Sequence, residues 1–134
     1  VYKRQNQHVR SLMERFEIRA TGPSAPAKSL SGGNQQKLIV GRELAKDPAI
    51  VVASQPTRGL DIGSAKYIRD LLVEMRDRGR AILLVSADLD EVLRLADRMA
   101  IMYEGRFMTV CTPQELTRER VGLLMGGVTD KEGE

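Results

Sequence analysis

Several common features are missing from this sequence or rare in it. Cysteine occurs once, as Cys111, which excludes an internal disulfide and fits a reducing compartment. Tryptophan is absent and aromatic residues make up only 4% of the chain, so the stacking platforms of single-stranded nucleic-acid readers are not expected. No apolar run approaches the ~20 residues that cross a bilayer. The basic start of the chain is not followed by the apolar run of a signal peptide.

The composition that remains is that of a globular protein. The chain has 134 residues, of which 42% are hydrophobic and 29% charged, which favours a folded domain with an aliphatic core. Its 21 basic and 18 acidic residues give a net charge of +3, and this small, dispersed excess does not point to a nucleic-acid or membrane surface. Since the sequence begins at Val1 without a methionine, we expect it to be a piece of a longer protein.

Short apolar runs alternate with amphipathic segments along the chain. The runs at 49–53, 81–86 and 98–103 predict strands, the first two of them buried on both faces. Apolar stripes with helical spacing predict helices between the strands, and the run 107–111 is expected to pair with the third strand as a hairpin. Strands that alternate with helices predict an α/β fold with right-handed crossovers and a mostly parallel sheet.

Local signals mark where helices begin and end. The pair Asp47-Pro48 ends the helix that follows Ser31. Thr112, Pro113 and Glu115 combine an N-cap, a first-turn proline and a capping-box acid, which predicts a helix start there. An N-terminal helix is predicted by a stripe of apolar residues with helical spacing: Val9, Leu12, Met13 and Phe16.

The sharpest local motif is the turn Ser31-Gly32-Gly33-Asn34 at the start of a predicted helix. The first N–H groups of a helix have no intrahelical partner and carry a partial positive charge, and glycines let an anion approach the backbone closely. These properties are those of a phosphate-binding turn. The same four residues also fit an ordinary glycine-rich helix start with Ser31 as its N-cap.

The order of motifs along the chain resembles the second half of an ABC-type ATPase domain. The segment LSGGNQQK (30–37) is similar to the signature motif of that family, and GLD (59–61) is similar to its D-loop. The resemblance covers roughly residues 5–125. Three variant forms, GGNQQK, QPTRGLD and GLLMGG, are similar to the ATP-binding subunits of importers for simple sugars and nucleosides. Two such domains are commonly fused in one chain in that subfamily, and this sequence resembles the second.

This resemblance implies a fold and a division of the chain. The fold would be an incomplete P-loop NTPase (RecA-like) parallel sheet flanked by helices, which agrees with the α/β class predicted above. Residues 1–30 would be a remnant of the helical subdomain of the family. Residues 31–126 would hold the signature helix and the C-terminal part of the ATPase core, and residues 127–134 would form a frayed tail.

The resemblance also implies which residues meet a nucleotide. In the family, two domains pair head to tail, and each signature motif closes over ATP held by the other domain. Asp61 would lie at the same interface and link the two sites. ATP and Mg²⁺ would be the cofactors of the intact protein, and neither is expected to bind the isolated chain. The residues implied to contact ATP in trans are Leu30, Ser31, Gly32, Gly33, Asn34 and Gln35.

The departures from the family pattern are as specific as the match. The phosphate-wrapping motif G-x-x-x-x-G-K-[ST] is absent from the sequence; the resemblance places its strand between those at 81–86 and 99–103. Ser54 stands at the metal-binding Asp position of the Walker B strand, and Gln55 at the catalytic Glu position. Ala87 stands at the switch His position. A hydroxyl brings no charge to Mg²⁺, and an amide cannot accept a proton from attacking water.

Three explanations of Ser54, Gln55 and Ala87 stay open: natural degeneracy of one of two sites, engineered trapping, and tolerated drift. Ser54 and the adjoining Gln-Pro-Thr-Arg segment favour natural degeneracy. A parental sequence with Asp, Glu and His at these positions would exclude it. Whether the parent is an active ATPase is left uncertain by the sequence.

The function implied is energy coupling in an ATP-driven importer for a simple sugar or a nucleoside. Its partners would be a second ATP-binding domain, the transmembrane permease subunits and, indirectly, a solute-binding protein, without nucleic acid. Its place would be the cytoplasmic face of the membrane. Two alternatives are a soluble ABC-type ATPase of translation or DNA repair and an interaction module without nucleotide chemistry. The lack of a long coiled coil or basic linker between the motifs speaks against the first alternative.

Overall fold

The computed structural model of the chain describes residues 2–129, and helices and strands alternate there as the periodicity predicts. The described chain divides into two compact units between Val85 and Ser86. In the first unit the elements are α1 (Tyr2–Arg15), a 3₁₀ turn (Ala27–Ser29), α2 (Gly32–Leu44), β1 (Ile50–Ser54), α3 (Ile62–Asp77) and β2 (Ala81–Val85). In the second unit they are α4 (Leu89–Leu95), β3 (Met99–Tyr103), β4 (Arg106–Cys111) and α5 (Arg118–Met125).

The first unit is built on a β–α–β crossover. Strands β1 and β2 pair in parallel, with Val52 opposite Leu83, and α3 connects them. This confirms the parallel α/β fold predicted from the alternation of patterns. The core beneath the strand pair is aliphatic apart from one aromatic ring, and its buried members are Phe16, Ile18, Leu44 and Met75.

The prediction that β1 and β2 are buried on both faces is wrong for this chain. Every second residue of the two strands is exposed, with Ile50 at 67%, Val52 at 66% and Leu83 at 57% of full exposure. The other residues of the strands, such as Val51 and Ile82, pack against the core. An unbroken apolar run predicts that both faces of a strand are buried. In the described part of the chain, the helices and loops bury only one face of the β1–β2 pair.

The second unit is a β-hairpin with a helix packed against it. Strands β3 and β4 pair antiparallel around Glu104-Gly105, with an irregular register between Ile101 and Met102. The predicted hairpin is thereby confirmed. Its buried core residues are Met99, Ile101, Val121 and Leu124. Strands β2 and β3 belong to different two-stranded sheets within the described residues.

The helix start predicted at Thr112 is wrong. The Glu115 carboxylate accepts from the N–H of Thr112, as in a capping box, but the N–H of Glu115 donates to the backbone carbonyl of Thr112 at 3.2 Å, and the two bonds close a turn. The helix begins at Arg118, where the side chain of Thr117 accepts from the N–H of Arg120 at 3.2 Å. Thr117 is a second N-cap that lies closer to the apolar residues of α5, and this cap is used.

The division of the chain into residues 1–30, 31–126 and 127–134 stays a prediction. The boundary between the two compact units falls elsewhere, at Val85 and Ser86. Residues 130–134 of the predicted tail lie outside the described part of the chain. In the described range, no helix is long and apolar enough to cross a membrane.

Candidate functional site

The turn that opens α2 is organised by the Ser31 side chain. Ser31 is the N-cap of α2, and its Oγ accepts from the backbone N–H of Asn34 at 3.4 Å and from the Asn34 side-chain amide at 3.0 Å. These two bonds use the acceptor positions of the hydroxyl, so its hydrogen is the group left to meet an outside acceptor. The N-cap predicted from the sequence is therefore present, and the residue is exposed.

The amides of Asn34 and Gln35 serve the chain itself. Asn34 Oδ1 accepts from the backbone N–H of Arg19 at 2.8 Å, which ties the loop after α1 to the start of α2. Gln35 Nε2 donates to the carbonyl of Leu30 at 2.8 Å and closes the turn from the other side. These two side chains hold the shape of the turn, and Ser31 and Gly32 are exposed on its outer surface.

The two glycines of the turn have different surroundings. Around Gly32, a Cβ would meet nothing within 4 Å, and the residue is exposed. Gly33 is buried, and a Cβ there would lie 2.3 Å from Ser64 Oγ and 3.4 Å from Asp61 Oδ2. Gly32 is therefore the position that is open to a ligand, and Gly33 is needed for close packing of α2 against the start of α3.

Asp61 is held in place by Ser64. It is the N-cap of α3: its Oδ1 accepts from the N–H of Ser64 at 2.9 Å, and its Oδ2 accepts from the Ser64 hydroxyl at 2.7 Å. The backbone and side-chain hydrogen bonds from Ser64 lower the pKa of Asp61 below its usual value. The carboxylate is therefore ionised at neutral pH, exposed, and fixed beside Gly33.

The end of β1 carries the two residues predicted at catalytic positions. Ser54 is the last residue of β1, opposite Val85 in the strand pair, and it is exposed. Gln55 has a φ of 49°, a left-handed conformation that is uncommon for a residue with a side chain, and its N–H donates to the carbonyl of Val85 at 2.7 Å. The chain turns sharply at Gln55, and the next residue, Pro56, is buried.

Ala87 belongs to the second unit. It is exposed and directly precedes Asp88, the N-cap of α4, whose carboxylate accepts from the N–H groups of Asp90 and Glu91. Its methyl group offers neither a hydrogen-bond donor nor a charge. Across the described residues, no group of three or more His, Cys, Asp and Glu side chains could hold a metal ion.

The structure brings together part of the predicted site and adds two residues to it. Gly33 and Asp61 are neighbours, and Ser64 lies between them. The amide of Gln36 donates to the carbonyl of Pro56 at 2.9 Å and joins α2 to the turn after β1. Ser64 could have been found from its place three residues after an N-cap aspartate. No local signal marks Gln36, because its partner is distant in the sequence.

Comparison with known proteins gives relatives that are longer than this chain. It is 44% identical over 126 residues to the nucleoside import ATP-binding protein NupA of Lactococcus lactis, which covers 94% of this chain and 25% of that protein. It is 46% identical over 124 residues to the guanosine import ATP-binding protein NupO of Bacillus subtilis, and this match covers 92% of this chain and 24% of NupO. It is 39% identical over 132 residues to the ribose import ATP-binding protein RbsA of Lacticaseibacillus paracasei, with 98% and 26% covered. The chain thus spans about a quarter of the length of these relatives.

Solved structures resemble the chain in the same way. A dimeric structure of the bacterial ABC transporter cassette MJ0796 matches with a TM-score of 0.69 and 25% identity, covering 80% of this chain and 46% of that one. A dimeric post-hydrolysis state of the same cassette, bound to ADP and Pi, matches with a TM-score of 0.67 and 26% identity. This match covers 77% of this chain and 44% of the cassette. No family model matches the chain. The resemblance predicted from the motifs is thereby confirmed: over nearly its whole length the chain is similar to a part of the ATP-binding proteins of sugar and nucleoside importers, and its fold is that of an ABC-type ATP-binding cassette.

Proposed function

We propose that the chain is part of the energy-coupling ATP-binding subunit of an ABC importer for nucleosides or simple sugars. The names of its relatives support this class of solute, since they are import proteins for nucleosides, guanosine and ribose. The partners would be a second ATP-binding domain and transmembrane permease subunits, with a solute-binding protein acting indirectly. The subunit would lie at the cytoplasmic face of the membrane. Residues 1–30 would belong to the helical subdomain, and residues 31–126 to the signature helix and the ATPase core.

The observation that carries this proposal is the open turn at the start of α2. Ser31 and Gly32 are exposed, and a Cβ at Gly32 would meet nothing within 4 Å. The turn therefore presents the Ser31 hydroxyl hydrogen and the backbone of Gly32 at a helix start. This donor set fits the oxygens of a phosphate group. In the proposed subunit the turn closes over ATP held by the partner domain, and Asp61 lies at the same contact.

The two residues at the end of β1 do not fit a catalytic metal site. Mg²⁺ is commonly held by one or two carboxylates, and Ser54 and Gln55 supply a hydroxyl and an amide. Neither Ser54 nor Gln55 offers a carboxylate that could act as a general base. General-base catalysis typically contributes ~10²–10⁴-fold to the rate, and this contribution is lost. We therefore propose that this half serves the ATP of its partner and that its own site is degenerate. The isolated chain would neither bind Mg-ATP at micromolar concentration nor hydrolyse it, which calorimetric titration would test.

The test compares two substitutions in the full-length subunit, assembled with its permease in proteoliposomes. Gly32→Asp places a negative charge where the phosphate would lie, although an acid at this position favours the helix itself. Because the added carboxylate repels a phosphate, we expect ATP-dependent uptake of labelled guanosine or ribose to fall ~10²–10³-fold, a loss as large as that from removing one preorganised donor. Gly22→Asp is the matched control, because a Cβ there also meets nothing within 4 Å.

Two outcomes would overturn the proposal. If Gly32→Asp transports as well as Gly22→Asp, the turn does not meet ATP. If the unsubstituted subunit hydrolyses ATP but imports neither a nucleoside nor a simple sugar, the transport assignment is wrong. A full-length subunit that hydrolyses ATP but assembles with no permease would favour the alternative of a soluble ABC-type ATPase.

A further inference from the structure

The start of α2 is fastened to the chain after β1 at two points, one helical turn apart. At the first point, the backbone of Gly33 packs against Ser64 and Asp61, where a Cβ would lie only 2.3 Å from Ser64 Oγ. At the second point, Gln36 Nε2 donates to the carbonyl of Pro56 at 2.9 Å. Residues three apart lie on the same face of a helix. One face of α2 therefore contacts both ends of the turn that joins β1 to α3.

The turn itself is closed by short-range hydrogen bonds. The N–H of Arg58 donates to the carbonyl of Gln55 at 3.2 Å, and the N–H of Leu60 donates to the carbonyl of Thr57 at 3.2 Å. At its far end, Ser64 donates to both oxygens of Asp61. A segment with this many internal bonds has few ways to deform, so a displacement at one end is passed to the other.

We propose that Gln36 and Ser64 are positioning residues that make the opening turn of α2 and the segment 55–61 move as one body. This rests on the proposed function, in which the α2 turn meets the ATP of the partner domain and the end of β1 belongs to the chain's own site. A displacement of Gln55 would then be transmitted through the Pro56 carbonyl and Gln36 to the opening turn of α2. Ser64 would set the carboxylate of Asp61 at a fixed place beside that turn.

Of the two residues, Gln36 gives the clearer test. Its side chain is half-buried and its bond to Pro56 crosses between two elements. Gln36→Leu keeps a similar volume and good helix propensity but removes the donor. Gln7→Leu is the matched control, because Gln7 is an exposed helical glutamine on α1. Ser64→Ala removes the hydroxyl that bonds Asp61 and keeps the backbone N–H that caps α3.

The experiment measures ATPase kcat and KM in the assembled full-length transporter, together with the thermal midpoint of each variant. A small misplacement away from the chemistry can cost ~10²-fold in rate. We expect Gln36→Leu to lower kcat ~10- to 100-fold while KM for ATP and the thermal midpoint stay close to those of Gln7→Leu. The double variant with Ser64→Ala should lower kcat by less than the product of the single effects, because both residues hold one body.

The possible failures are distinguishable. A Gln36→Leu variant whose kcat equals that of Gln7→Leu overturns the inference, as does one that loses thermal stability with unchanged kcat in the folded fraction. Effects of Gln36→Leu and Ser64→Ala that multiply would show two independent contacts and would also overturn it. Gly32→Asp is measured in parallel. If Gly32→Asp has no effect, the proposed function is wrong. If Gly32→Asp loses activity and Gln36→Leu does not, only the inference about Gln36 and Ser64 is wrong, and the proposed function stands.

Discussion

Gly33 and Ser64 occupy the same small space between α2 and α3: a Cβ at Gly33 would lie 2.3 Å from Ser64 Oγ and 3.0 Å from Ser64 Cβ. The signature-like turn therefore holds one glycine that packs within its own chain and one, Gly32, that faces outward. Because Gly33 has no side chain, the starts of α2 and α3 can approach each other closely. Because Gly32 faces outward, the turn is open to an anion.

This contact predicts different effects of the same substitution on stability at the two glycines. Gly33→Ala should destabilise the chain by ~1–3 kcal/mol, the usual cost of overpacking a filled site. Gly32→Ala should be neutral or slightly stabilising, because alanine favours the helix and meets nothing there. Urea unfolding of both variants at one pH measures the difference. Equal free energies of unfolding would contradict the packing role of Gly33.

The order of helices and strands could be predicted from the sequence because it follows from local patterns. Apolar runs, helical stripes and caps such as Ser31 each depend on a few neighbouring residues. The partner of Gly33 could not be predicted, because Ser64 is far away in the sequence and no periodicity connects the two. The turn at Thr112 shows a further limit: the local pattern predicts a helix start there, whereas the helix is capped by Thr117 and its residues Val121 and Leu124 are buried with Met99 and Ile101 of β3.

Asp61 predicts a pH dependence of stability. Its folded pKa lies below the ordinary value of 3.8, because Ser64 donates to the ionised carboxylate. The stabilisation is therefore fully present above pH 3.8 and is lost as the pH falls through the lower, folded pKa. Asp61→Asn keeps a good N-cap but does not titrate. We expect the unfolding free energy of the unsubstituted chain, relative to Asp61→Asn, to decrease below that pH in denaturant titrations. A difference that is the same at pH 7 and pH 2 would contradict this assignment.

The exposed face of the β1–β2 pair predicts self-association of the isolated chain. Val52 and Leu83 lie opposite each other on this face, at 66% and 57% exposure. Exposed apolar faces and unpaired strand edges favour contact with other chains. Sedimentation velocity at increasing concentration should therefore show oligomers. The double substitution Val52→Thr and Leu83→Thr should shift the chain toward monomer and change the unfolding free energy by only about 0.5 kcal/mol.

The control for this effect is Ile62→Thr, which changes an apolar residue that is 88% exposed and lies on α3, outside the strand pair. It should leave the oligomers unchanged. An unsubstituted chain that stays strictly monomeric at all concentrations would show that the face needs no cover.

The last prediction separates the turn at the end of β1 from the turn at the start of α2. Gln55→Glu restores a carboxylate at one position, and Ser54 and Ala87 still supply a hydroxyl and a methyl group at the other two. A single base without a charged metal ligand does not assemble a hydrolytic site. In the assembled full-length transporter we therefore expect the ATPase rate of Gln55→Glu to stay within about twofold of the starting rate, since groups that act as a unit are not additive.

Gln114→Glu is the matched control, because it makes the same change at an exposed residue of the second unit. Gly33→Asp, measured beside it, should abolish most uptake and ATPase activity, since its side chain collides with Ser64 and adds a second carboxylate beside Asp61, which displaces the turn. A Gln55→Glu variant that turns over ATP many-fold faster than Gln114→Glu would mean that the site is one residue short of active rather than degenerate. A Gly33→Asp variant with near-full activity would mean that the signature-like turn no longer serves any nucleotide.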